Sequence, residues 1–170
     1  MKTVRLGDIV SDATTGFACG EETLDGVLQV RMPNVDREGR MDWSTLRRVP
    51  ANRDQVGRYL LEDGDILFNN TSSEELVGRA AVFRDRREPV TFSNHFTRLR
   101  VVREHADPRF IAGWIHFQWQ HNRLRSIANR WVNQAAIRTD ALLGLSLSLD
   151  FGRVSRPKAS ALFEYNAPAT

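Results

Sequence analysis

Apolar positions along the chain fall into short runs broken by polar stretches, and their spacing shifts from a two-residue to a helical period toward the C-terminal end. Val4, Leu6, Ile9 and Val10 form an apolar opening that fits a short helix or a strand, and Thr14-Thr15-Gly16 reads as a turn. Val27 to Met32 alternates like a strand and is stopped by Pro33-Asn34. Asp36 to Arg58 is polar, contains Gly39 and Gly57, and predicts a long excursion with little core of its own. Tyr59-Leu60-Leu61 then leads through a Glu62-Asp63-Gly64-Asp65 turn into a buried strand at Ile66-Leu67-Phe68. A polar loop at Asn69 to Glu75 follows, then strands at Leu76 to Phe83, Val90 to Ser93 and Phe96 to Val102.

Asp107-Pro108 is a helix start, because aspartate caps and proline suits the first turn. Phe110, Ile111, Trp114, Ile115 and Trp119 follow at helical spacing as a core-facing stripe, which resumes at Leu124 and Ile127. Thr139 to Leu143 suits a short helix, and Leu145 to Leu149 alternates as a last strand. The prediction is an α+β fold: a single globular domain with a mixed, largely antiparallel β middle and C-terminal helices. It spans residues 1–150 around one sizeable core, and 151–170 is a polar tail expected to be poorly ordered.

Charge adds a direction to this picture. Residues 1–78 hold 9 Lys/Arg against 14 Asp/Glu, whereas 79–170 hold 15 against 7. Within 79–103, seven arginines face only Asp85 and Glu88. Such asymmetry suits a surface that meets a polyanion, although a solvated face would look the same. Arginine outnumbers lysine 22 to 2, which favours forked recognition of phosphates and guanine edges.

Catalytic chemistry is disfavoured. No glycine-rich nucleotide loop, nucleophile elbow, HExxH or CxxC pattern occurs, so no metal or cofactor is expected. His95, His105, His116 and His121 have no ligand spacing, and Cys19 stands alone. A carboxylate nuclease needs a lysine beside its acids, but the only lysines are Lys2 and Lys158. Asp63 and Asp65 flank Gly64 and are read as turn formers. With no apolar span and no export signal, the expected compartment is the cytoplasm, without a membrane.

The run Leu61 to Arg79, LEDGDILFNNTSSEELVGR, closely resembles the target-recognition domains of type I restriction–modification specificity subunits. Those domains carry a Gly-Asp-Ile-Leu-Phe-Asn strand, a Thr/Asn/Ser-rich loop and a Glu-Leu-Val-Gly-Lys/Arg step. Leu6 to Ile9, Met32 to Asn34, Phe92 to His95, Leu99-Arg100, Pro108 to Phe110 and Gln134 to Ile137 agree in order, the last as a turn before the final strand. The resemblance spans about residues 4 to 149. It departs at Asn70, where the family usually has arginine, and after Leu149, where the family continues into a long helix.

The resemblance implies sequence-specific binding of double-stranded DNA by a half or truncated specificity subunit. Its partners would be modification (methyltransferase) and restriction subunits and a second recognition half. A recognition module of a single-chain restriction enzyme–methyltransferase and a protein-interaction fragment that does not bind DNA remain as alternatives. Polar loops presented by a rigid core would read the duplex. The candidate DNA-binding residues are Arg31, Asn34, Arg37 and Arg40; Asn69, Asn70, Thr71, Ser72, Ser73 and Arg79; and Arg84, Arg86, Arg87, Asn94, His95 and Arg98. Asn69 and Thr71 stand equally well as satisfiers of loop backbone, and Gln134 is read as holding a turn.

Overall fold

The computed structural model describes residues 2–149; the expected tail at 151–170 lies outside the described residues. In chain order the elements are β1 (Lys2–Arg5), β2 (Val10–Thr15), β3 (Val27–Val30), β4 (Arg48–Val49), α1 (Arg53–Tyr59), β5 (Ile66–Asn69), β6 (Thr71–Ser72), β7 (Ala80–Val82), β8 (Val90–Phe92), β9 (Phe96–Val101), α2 (Pro108–Gln120), β10 (Ala128–Trp131), β11 (Gln134–Ile137), α3 (Thr139–Leu143) and β12 (Ser146–Leu149). The fold is α+β, as the pattern predicts.

A four-stranded antiparallel sheet, ordered β2-β9-β5-β7, runs through the middle. Because side chains alternate across a sheet, this one separates two apolar cores. Ile66 and Phe68 of β5 and Leu99 of β9 point into a core shared with Ile111, Ala112 and Ile115 of α2. Leu67, between them in sequence, points the other way, toward Leu28, Val30, Phe83 and Phe92. The second core is closed by a sheet ordered β4-β3-β8, whose β3 and β8 run parallel. One core was expected; two arise because every residue of β5 is buried, so both faces of the sheet are covered.

The excursion at 36–58 has little core of its own, as expected: Val49 is its one buried residue, Met41 and Trp43 pack partly against the second core, and Asn52 caps α1 by accepting a hydrogen bond from Gln55 N. The N-terminal ambiguity resolves into β1, a helical turn at Leu6–Ile9, and β2, with Leu6 and Ile9 buried. The expected strand from Leu76 shortens to Ala80–Val82, because Gly78 takes φ +98°. At Gly78 a Cβ would lie 2.8 Å from Leu124 Cδ1, so a side chain there would have to displace Leu124 and hold a strained positive φ. Helix α2 begins as expected, with the Asp107 carboxylate accepting from Arg109 N. Its stripe is rotated, however: Ile111, Ala112, Ile115 and His116 are buried, Trp114 is half-buried, and Phe110 is 52% exposed.

Candidate nucleic-acid interface

The candidate residues separate first by burial. Arg98 on β9 is 4% exposed. Its Nε and Nη2 donate to Asp12 Oδ2 at 3.0 and 2.8 Å, and its Nη1 donates to the Leu60 and Arg58 carbonyls. Arg79 is 5% exposed and donates to the carbonyls of Leu76, Val35 and Met32. Burial, reinforced by the nearby Arg37 charge, pushes the Arg79 guanidinium below its ordinary value. Both arginines therefore join distant segments of backbone inside the fold.

The same holds for the asparagines. The Asn69 side-chain amide donates to the carbonyls of Thr71 and His95, and that of Asn70 to Asn94 O and Thr97 Oγ1. Asn34 Oδ1 accepts from Arg31 N while its amide donates to the Asp42 and Thr45 carbonyls. Ser72 is buried within β6. The amide nitrogens of these asparagines are thus engaged within the fold, whereas Asn69 Oδ1 is buried without a partner among the described residues.

The exposed candidates fall into two patches at opposite ends of α2, whose 13 residues span about 20 Å. Toward its C-terminal end, three segments converge. His116 Nε2 lies 3.1 Å from the Arg37 carbonyl, Arg37 pairs with Glu75 at 3.9 Å, and Trp119 Nε1 donates to the Glu75 carbonyl. Glu74 in turn pairs with Arg130 at 3.2 Å. Loop 31–40 and loop 69–75 thus share one face with the hairpin β10–β11. Arg37, Arg40 and Ser73 are exposed there, Arg31 and Thr71 half-buried. Asn94 and His95 adjoin this patch through the Asn70 and Asn69 contacts, with Asn94 exposed.

At the N-terminal end of α2 lies an open cleft of about 370 Å³, lined by Asp63, Arg84, Arg103, Asp107 and Arg109. Its arginines face carboxylates: Arg84 and Arg103 meet Asp63, and Arg109 forks onto Asp107. Bonding to Arg109 outweighs partial burial and holds the Asp107 carboxyl below its usual value. On the adjacent loop, Arg86 stacks over the Trp43 ring at 4.2 Å and pairs with Glu88. Arg87 is exposed in a left-handed conformation, φ 64°. The arginine-rich 79–103 segment is therefore largely neutralised. Arg100 also pairs with Asp65 and Glu62, and its bond to Asp65 raises its pKa.

Sequence reasoning missed the hairpin. Gln134 to Ile137 is strand β11, not a turn, and the turn is Val132-Asn133, with Asn133 at φ 63°. The left-handed asparagine was the available signal, without the glycine that marks a typical tight hairpin. Among the described residues there is no cluster of acids, histidines or cysteine that could hold a metal ion. No helix among them is long and apolar enough to cross a membrane.

No model of a known protein family matches the chain. In sequence it is 29% identical over 97 residues to a Methanocaldococcus jannaschii protein described as the specificity subunit of the type I restriction enzyme MjaX; the match covers 57% of this chain and 23% of that one. In structure it is similar to the type I restriction–modification S subunit from M. genitalium, with TM-score 0.57, 12% identity, and coverage of 85% of this chain and 33% of that one. It is equally similar to the HsdS subunit from Thermoanaerobacter tengcongensis, with TM-score 0.57, 16% identity, and coverage of 85% and 32%. A chain from a structure of type I restriction–modification complex assembly gives TM-score 0.60 at 16% identity, covering 86% and 37%. The fold is thus that of a specificity-subunit domain. The chain is similar to type I restriction–modification specificity subunits and spans between 23% and 37% of the length of those it matches.

Proposed function

We propose that the chain is a target-recognition domain that binds double-stranded DNA sequence-specifically, acting as one recognition half of a type I specificity subunit. The observation that carries this reading is the coincidence of fold and sequence: 85% of the chain follows specificity-subunit structures, and 57% of it aligns with a specificity subunit. In this reading residues 1–150 are the recognition domain. Methylation and cleavage belong to modification and restriction subunits in the cytoplasm, and the chain itself is not an enzyme. Arg37, Arg40, Ser73 and Asn94, exposed on the face where the loops converge, meet the duplex. Arg79, Arg98, Asn34, Asn69, Asn70 and Ser72 hold the loops in place.

Fluorescence anisotropy with a mixed-sequence duplex tests the proposal. Affinity should fall as salt rises, with a slope of about −0.9 per phosphate contacted. The isolated chain should be weak and should neither nick nor methylate DNA in the presence of Mg²⁺ or a methyl donor. Absence of binding at low salt, or binding that ignores salt, refutes the reading.

A further inference from the structure

The hairpin β10–β11 carries side chains that the fold does not use. Its register pairs Trp131 with Gln134 and Asn129 with Ala136, so Asn129, Trp131 and Gln134 share one face. The opposite face holds Ala135 and Ile137, both buried in the core beneath. The outward face is bare: Trp131 is 61% exposed and Val132 at the tip 89%, while Asn129, Asn133 and Gln134 are also exposed. Among the described residues none of the three amides makes a side-chain hydrogen bond.

The surroundings fit a polyanion. Residues 121–138 hold Arg123, Arg125, Arg130 and Arg138 and no acid at all. Glu74 pairs with Arg130 and Asp140 with Arg138, whereas the Arg125 side chain has no partner among the described residues. The hairpin is also anchored to a candidate reading loop. β11 pairs with β6 at Thr71 and Ser72, and Ile137 N donates to the Asn70 carbonyl.

We infer that this hairpin is a base-reading element that enters the major groove of duplex DNA, with Asn129, Asn133 and Gln134 facing base edges and Arg125 meeting the backbone. The inference rests on the DNA-binding reading above. Beyond Ala135 and Ala136, where β11 also pairs with β6, the end of the hairpin is two-stranded, and strands about 4.8 Å apart fit a groove about 12 Å wide. Ala135 and Ile137 anchor the hairpin to the domain, so its exposed outward face and tip, Asn129 to Gln134, are what meet the groove floor. Asparagine and glutamine pair bidentately with the N6 and N7 edge of adenine, and apolar side chains contact the thymine methyl group. The element therefore selects an A·T-containing step, with Trp131 and Val132 placed against thymine methyls.

The test uses the full chain and a library of duplexes with a randomised centre, selected for binding at low salt. Asn129→Ala/Asn133→Gly/Gln134→Ala, which keeps the left-handed turn, should lose roughly 5- to 150-fold in affinity for the wild-type selected sequence per bidentate amide removed, and its preference for A·T steps. It should keep the salt slope, whereas Arg125→Ala should keep the preference and lower the slope by about 1. Independently of any variant's folding, wild-type chain irradiated on duplexes carrying 5-iodouracil, which presents iodine in the major groove, should cross-link within residues 128–137. A triple variant that selects the same sequence with unchanged affinity, or cross-links that fall only elsewhere, overturns the inference while leaving DNA binding intact. A wild-type chain that binds no duplex overturns both.

Discussion

Replacing Arg98 with alanine tests whether the arginine-rich β9 segment reads DNA or builds the domain. The guanidinium spans Asp12 on β2 and two carbonyls, Leu60 and Arg58, that precede β5. Removing it strands a carboxylate and two carbonyl oxygens beside the second core. Breaking a buried pair from one side costs about 3–5 kcal/mol. The Asp12 side chain is 33% exposed, so water compensates part of that loss. The stem and planar head also pack toward the Phe92 ring, with Cζ 5.6 Å from its centroid, and that contact disappears. The net expectation is roughly 3 kcal/mol. For a domain of this size each kcal/mol lowers the midpoint by about 2–4 °C, so Tm should drop by about 6–12 °C. Circular dichroism melts measure the shift, and anisotropy below both midpoints measures DNA affinity per folded molecule, which should be unchanged. Arg98→Lys should fall between, since an ammonium cannot reproduce the fork. An Arg98→Ala variant that melts within a degree or two of wild type while losing several-fold in DNA affinity refutes the argument.

Three further outcomes follow from the same geometry. Gly78→Ala should destabilise by at least about 1–2 kcal/mol in denaturant titrations, because it forces a Cβ into φ +98° and against Leu124. Ile115→Ala should lose about 2–5 kcal/mol whereas Phe110→Ala should stay within about 1 kcal/mol, although both belong to one apolar stripe, because only Ile115 is fully buried. Burial pushes His116 below its ordinary pKa of 6.5, against the opposing contact with the Arg37 carbonyl. The unfolded chain then binds the extra proton first, so stability should decline as pH falls below about 6.5, and His116→Phe should flatten that decline in melts at pH 5 to 8.

Local chemistry carried much of the fold into view. The Asp107-Pro108 helix start, the turn at Gly64 with φ 93°, the inward alternation of Leu147 and Leu149, and the buried run at Ile66 to Phe68 all rest on neighbours within a few residues. Such signals need no knowledge of distant contacts, which is why they survive in a single sequence. Even the positive charge of the second half was legible. Its use was not: sequence placed the polyanion surface on Arg79 to Arg98, where most guanidiniums are engaged by acids or carbonyls, whereas Arg125 beside the hairpin has no side-chain partner among the described residues.

Tertiary structure made that decision because a guanidinium's fate depends on which oxygens converge on it. The carbonyls that bind Arg79 come from Val35, 44 residues away, and those that bind Arg98 come from Leu60 and the carboxylate from Asp12, 38 and 86 residues away. No periodicity records such meetings. Trp131 poses the inverse problem, since an aromatic residue beside a strand reads as core until its register opposite Gln134 shows it facing outward. Sequence determined the elements, their order and the α+β class through short-range sterics and hydrophobic period. Only the packed chain determined which polar groups are consumed as scaffold and which remain at the surface, because burial is set by long-range convergence.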